Sequence, residues 1–203
     1  MRFLHSFLSK TFRQKNTIYA NAQIQFPKNA EALRILNEKI RAREIEKSYY
    51  CVIHGFMQPS AGRLDSFIER DLENKRVYSG KTRTGDARTA STLYRTVARS
   101  GELSLLECRL LTGRTHQIRA QFAQAGHPLL GDGKYGKNEL DRRYGRKYQA
   151  LHSYKVEFAF PTDAGALAYL KGKVFTTGKP DFITQYFPDA KLDESGKPKQ
   201  KKK

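Results

Sequence analysis

Two runs suited to strands, Thr89 to Val97 (TASTLYRTV) and Leu103 to Leu111 (LSLLECRLL), flank the turn ARSGE, and this pairing constrains the fold more than any other stretch. β-branched and alternating apolar residues on both sides of a glycine-bearing turn make a hairpin, so antiparallel sheet is implied. Upstream, Ser48 to Phe56 (SYYCVIHGF) reads as another strand that runs into the turn PSAGR. Before it, Asn29 to Ile45 places Leu33, Leu36 and Ile40 on one face at helical spacing, with Asn29 as a cap and Glu31 in the first turn. Arg63 to Gly85 is charged and reads as irregular. Downstream, His116 to Ala125 reads as a helix burying Ile118, Phe122 and Ala125 and stopped by Gly126, and Gln149 to Phe160 returns to strand alternation. Helices alternating with antiparallel strands predict an α+β domain.

Lys and Arg number 38 against 20 Asp and Glu, a net charge of +18, and a surplus of this size is the footprint of a polyanion partner. The plainer reading is charge that only keeps the protein soluble. The 12 Phe and 11 Tyr exclude a disordered chain, and no apolar stretch is long enough to span a membrane. Cys51 and Cys108 sit inside apolar segments and read as reduced core residues of a cytoplasmic protein. Neither they nor the five histidines show the spacing of a metal site, so no metal or cofactor is expected. The start of the chain lacks the apolar run of a secretory signal. Its basic, acid-free composition is compatible with a transit peptide but reads more simply as a basic leader over residues 1–28. The segment from Asp189 to Lys203 reads as a disordered, lysine-rich tail.

The densest constellation is Leu110 to Arg119 (LLTGRTHQIR), where a strand runs into a helix whose first turn carries Arg114, Thr115 and His116. Backbone N–H groups at a helix start beside guanidinium groups suit a phosphate or a carboxylate. The alternative is a helix capped by Thr115 with solvent-facing arginines. The glycine-rich stretch that follows, GHPLLGDGKYG, reads as a tightly turned loop.

Read as a string, LLTGRTHQIRAQFAQAGHPLLGDGKYG resembles the signature of the RluA-type pseudouridine synthases, which isomerise uridine to pseudouridine in ribosomal or transfer RNA. EKSYYCVIHG, ARTASTLYRTV and ALHSYKVEFAFP follow in that family's order, so the resemblance covers Asn29 to Pro161. It implies an antiparallel-sheet catalytic domain acting on structured RNA without a cofactor; a monomer is the accompanying expectation. It also implies that Tyr49, two residues after Lys47, packs on the target base, and that Arg119 pairs with the catalytic aspartate. Lys47, Arg114, Thr115, His116 and Gln117 are then the expected RNA contacts, with Arg142, Arg143, Arg146 and Lys147 as further candidates.

One departure accompanies the resemblance. The family's catalytic aspartate belongs to an H-R-L-D motif upstream of the segment matching NAEAL, and there the chain reads NTIYANAQIQFPKNAEAL, with no carboxylate before Glu31. Asp65 in Arg63-Leu64-Asp65 and Asp132 in Gly131-Asp132-Gly133 are the two stand-ins. Asp65 follows the K-x-Y strand instead of preceding it, and Asp132 occupies a structural place in the family's loop. The expectation is an N-terminally incomplete synthase domain over residues 29–188. Two other readings accompany it: an RNA-binding module of the same fold without catalysis, and a nucleic-acid-coating factor held by its lysine tail.

Overall fold

The computed structural model describes residues 30–192 other than 72, 74, 75 and 137, so the leader, Asn29 and the end of the lysine tail lie outside the described residues. In chain order the elements are α1 (Ala30–Arg41), β1 (Ile45–His54), β2 (Ala61–Asp71), β3 (Arg76–Gly80), β4 (Arg88–Ser100), β5 (Leu103–Leu110), α2 (Gln117–Gln124), α3 (Asn138–Arg142), β6 (Leu151–Phe158), a 3-10 turn (Gly165–Leu170), β7 (Val174–Thr176) and α4 (Asp181–Tyr186). The strands form one sheet in the order β3-β2-β4-β5-β1-β6-β7, every pairing antiparallel. This is the expected α+β architecture.

Strand β1 is buried on both faces, which explains its near-continuous apolar sequence. Tyr49, Cys51 and Ile53 face α2 and pack with Ile118 and Phe122, whereas Tyr50 and Val52 face the opposite layer with Phe182, Ile183 and Phe187. Tyr50 stacks on Tyr154 with ring centroids 4.1 Å apart. The Cys51 and Cys108 thiols lie 3.7 Å apart in the α2-side core, both fully buried. A third cluster joins Ile35 and Leu36 of α1 to Val156, Phe158 and Leu167, so α1 rests on the β6 end of the sheet.

Three expectations are corrected. Arg63 to Gly85 is not irregular, because β2 and β3 form a hairpin within it and β2 also pairs with β4. Ser66, Ile68 and Val77 turn toward Ala90 and Ala120 while the outward positions are mostly charged, and one-sided burial by so few apolar residues leaves a weak alternation signal. The first helix stops at Arg41, ahead of Ile45, because Arg43 is left-handed at φ 61° and turns the chain into β1. At the other end, Ala190 and Leu192 pack against the α4 layer, so the start of the predicted tail belongs to the fold. No helix among the described residues is long and apolar enough to cross a membrane.

Candidate functional site

Where β1 and β5 meet the loop after β5, a groove of about 720 Å³ opens. Its wall combines Tyr49, Ile45 and Leu110 with the cations Lys47, Arg41, Arg43 and Arg114. The register accounts for the arrangement. Lys47 pairs with Leu110 and Tyr49 with Cys108, and positions two apart on a strand project to one side. Lys47 and Tyr49 therefore share one side of β1, with Tyr49 only 1% exposed at the bottom of the groove. Burial alone pushes the Lys47 ammonium below its usual range, and no carboxylate among the described residues forms an ion pair with it. The carboxylate on the groove wall, Glu46, is held by the Arg109 guanidinium at 3.0 Å to each oxygen.

Arg114 reaches the groove from the loop before α2, and its Nε donates to the Thr89 carbonyl at 3.0 Å. That loop is fixed from beneath by Gln117, whose amide oxygen accepts from Thr112 Oγ1 at 2.8 Å and from the Arg114 backbone N–H at 2.9 Å. Its amide nitrogen donates to the Ser91 carbonyl at 3.0 Å and to Thr92 Oγ1 at 2.9 Å. One turn on, Gln121 accepts from Thr92 Oγ1 at 2.6 Å and donates to Leu64 O, Ser66 Oγ and Ala90 O. The two glutamines form a buried polar spine fastening α2 to β2 and β4. Gln117 is 1% exposed with every amide position engaged, so its side chain positions the loop from behind the groove wall. Gln117→Leu should cost about 1–3 kcal/mol for each buried group left unpaired, read as a lowered urea midpoint with an unchanged slope.

The cap by Thr115 is also corrected. Helix α2 begins after His116, which is left-handed at φ 52° and gives no side-chain cap hydrogen bond. His116 Nδ1 lies 2.8 Å from Tyr135 Oη, which also accepts the Val77 N–H at 3.0 Å, and His116 does not line the groove. Burial first, then the nearby cations Arg119 and Lys134, lower the His116 pKa from 6.5 to about 4. The folded value lies below the unfolded one, so His116 adds stability that is full above pH 6.5 and is lost as pH falls toward 4. Urea midpoints measured between those limits should rise with pH, and His116→Gln should flatten that rise.

Arg119 does meet a carboxylate, but the partner is Asp132 of the glycine-rich loop. Arg119 Nε and Nη2 donate to the two Asp132 oxygens at 2.7 and 2.6 Å, and Asp132 Oδ1 also accepts the N–H groups of Lys134 and Tyr135. Burial raises the Asp132 carboxyl, yet the guanidinium and these amides outweigh it and hold it below the usual carboxylate range. Arg119 and Asp132 both lie off the groove wall. Asp65 is equally occupied, by the Ser91 hydroxyl and by Arg63 Nε at 2.6 Å, which together lower its pKa. The groove thus gathers Lys47, Tyr49 and Arg114, and leaves His116, Gln117 and Arg119 behind its wall. Among the later basic turns, Arg143 pairs with Glu102 and Arg146 with Asp181 on the side of α4. Sequence reasoning missed Arg41 and Arg43, whose signal was only a pair of basic residues at the end of an amphipathic helix.

The family model described as RNA pseudouridylate synthase matches residues 24–124. Ribosomal large subunit pseudouridine synthase D of Borreliella burgdorferi is 35% identical over 130 residues, covering 64% of this chain and 39% of that protein. An uncharacterized RNA pseudouridine synthase of Bacillus subtilis is 34% identical over 134 residues, covering 66% and 42%. The chain therefore spans about four tenths of the length of these curated relatives. Among solved structures, human RNA pseudouridylate synthase domain containing 1 superposes with a TM-score of 0.63 at 22% identity, over 87% of this chain and 69% of that one. Human RNA pseudouridylate synthase domain containing 4 gives 0.60 at 19% identity over 79% and 67%. The fold is shared with both, and the chain belongs to the RluA-type RNA pseudouridine synthase family.

Proposed function

We propose that the groove seats a uridine of a structured RNA, ribosomal or transfer, and that the chain isomerises it to pseudouridine as a cytoplasmic monomer without a cofactor. The observation that carries this reading is the gathering of Lys47 and Tyr49, on one side of β1, with Arg41, Arg43 and Arg114 on one groove wall, in a chain of +18 net charge. A volume of about 720 Å³ admits a nucleoside with its phosphate, an aromatic floor suits an unstacked base, and the rim cations suit the backbone. Lys47 gains most from an anion: a phosphate beside a partly buried ammonium restores the charge that desolvation disfavours. The two buried free thiols support a reducing compartment.

The reaction breaks the bond between N1 of uracil and the anomeric carbon, rotates the base, and joins C5 to the same carbon. The C5 proton leaves and N1 gains one, so substrate and product are isomers. A carboxylate beside the sugar is required to stabilise or trap the anomeric carbon. Among the described residues the groove offers Glu46, held by Arg109, while Asp65 and Asp132 are occupied elsewhere. This favours a second reading, RNA binding without turnover. Tritium release from RNA labelled at uridine C5 separates the two: release above the blank that Tyr49→Ala removes supports the isomerase, whereas RNA binding with no release supports the binding module.

A further inference from the structure

Helix α1 ends in a motif whose sequence is unusual for its geometry. Glu44 N–H donates to the Lys39 carbonyl at 2.9 Å and Arg43 N–H to the Ile40 carbonyl at 3.2 Å, the paired bonds of a Schellman ending in which Arg43 holds the left-handed position at φ 61°. That position belongs by default to glycine, because a Cβ there crowds the following carbonyl. The motif's accompanying contact is also altered. In place of an apolar pair, Lys39 Nζ donates to Glu44 Oε2 at 2.7 Å and to Thr162 Oγ1 at 2.6 Å, while the Thr162 hydroxyl donates to Glu44 Oε1 at 2.6 Å. This cluster, buried at Lys39 and Glu44, anchors the turn to the segment after β6.

Described non-glycine residues with positive φ are Arg43 and His116, and their side chains differ in use. His116 bonds to Tyr135 inside the fold. Arg43 is exposed and lines the groove, and its side chain takes no hydrogen bond or ion pair among the described residues. Lys39 and Arg41 are the basic residues of the last turn of α1, and Arg43 stands beyond them in the turn that leads to β1. A side chain set against its backbone preference and lacking an internal partner has its use outside the fold.

We infer that Arg43 is a phosphate contact for RNA in the groove, held in a strained turn and aimed by the Lys39–Glu44–Thr162 cluster at the strand that lies over Lys47 and Tyr49. The inference rests on the groove being the RNA site, and names Arg43 as one of its specific cations. Replacing Arg43 therefore acts in opposite senses on stability and on binding, which no purely structural role would do.

The test uses the full chain with a fluorescein-labelled, single-stranded, uridine-rich RNA, read by anisotropy at several salt concentrations, beside thermal unfolding. Arg43→Gly should raise Tm, weaken binding about five- to tenfold at low salt, and shrink the slope of log K against log salt by about 0.7, the share of one phosphate on a single strand. Arg43→Asn, which also tolerates the left-handed region, should weaken binding equally. Lys171→Ala removes an equal charge outside the groove and should leave binding within about twofold. A lower Tm for Arg43→Gly overturns the inference. So does an unchanged salt slope while Arg114→Ala still weakens binding, which leaves the groove standing. If Arg43→Gly, Arg114→Ala and Lys47→Met all bind as the parent does, the groove reading falls with it.

Discussion

Asp132→Asn is expected to lower stability by about 3–5 kcal/mol, the cost of removing one partner from a buried ion pair. Asp132 is fully buried and the Arg119 side chain is 11% exposed, so neither group can recover its interaction in water. The asparagine keeps one oxygen for the Lys134 and Tyr135 amides, but it presents an N–H group to a guanidinium that can only donate. For a chain of this size the loss corresponds to roughly 6–20 °C in Tm. Arg119→Ala should cost a similar amount, and the double variant should cost clearly less than the sum, because each single change already breaks the same pair. Thermal unfolding of the three variants checks this. Full additivity would show that Arg119 and Asp132 act independently.

Phe122→Ala is expected to cost about 3–5 kcal/mol. Its ring is fully buried and meets Tyr94 edge on, with centroids 5.9 Å apart and planes at 76°. It fills the layer between α2 and the Tyr49, Cys51 and Leu106 side of the sheet, so its loss leaves a cavity beneath the groove floor. Denaturant unfolding should show the lowered midpoint. RNA affinity at a temperature where the variant is folded should also fall, since Tyr49 loses the packing that fixes its ring. A variant that unfolds like the parent would contradict the placement of α2 against this face.

Much of the fold was legible because its strands carry two-sided or clearly alternating burial. SYYCVIHGF announced β1, and the TASTLYRTV and LSLLECRLL pair announced β4 and β5 as an antiparallel hairpin. The β2–β3 hairpin was not legible as strand from its alternation, because few of its inward positions are apolar, Leu64, Ile68 and Val77, and its outward positions are largely charged. The candidate site was legible in part. The resemblance pointed to Lys47 and Tyr49, and the strand-to-helix constellation pointed to Arg114, which stands in the loop before α2 instead of the helix's first turn; the groove wall holds all three. Spacing could not show that Gln117 turns inward, since a glutamine two residues after Thr115 is equally suited to solvent or to a buried amide network. Nor could it find the carboxylate that meets Arg119, which comes from a loop 13 residues on, or the left-handed turn that sets Arg43 on the groove wall.

The central claim, that a uridine sits over Lys47 and Tyr49, is tested most directly by photocrosslinking the full chain to RNA carrying 4-thiouridine and mapping the adducts by peptide mass spectrometry. Adducts within the peptides containing Tyr49 or Leu110 to Arg114, competed away by unmodified uridine-containing RNA, are the predicted result. Adducts confined to the lysines near the C-terminus, with none on those groove peptides, would contradict it.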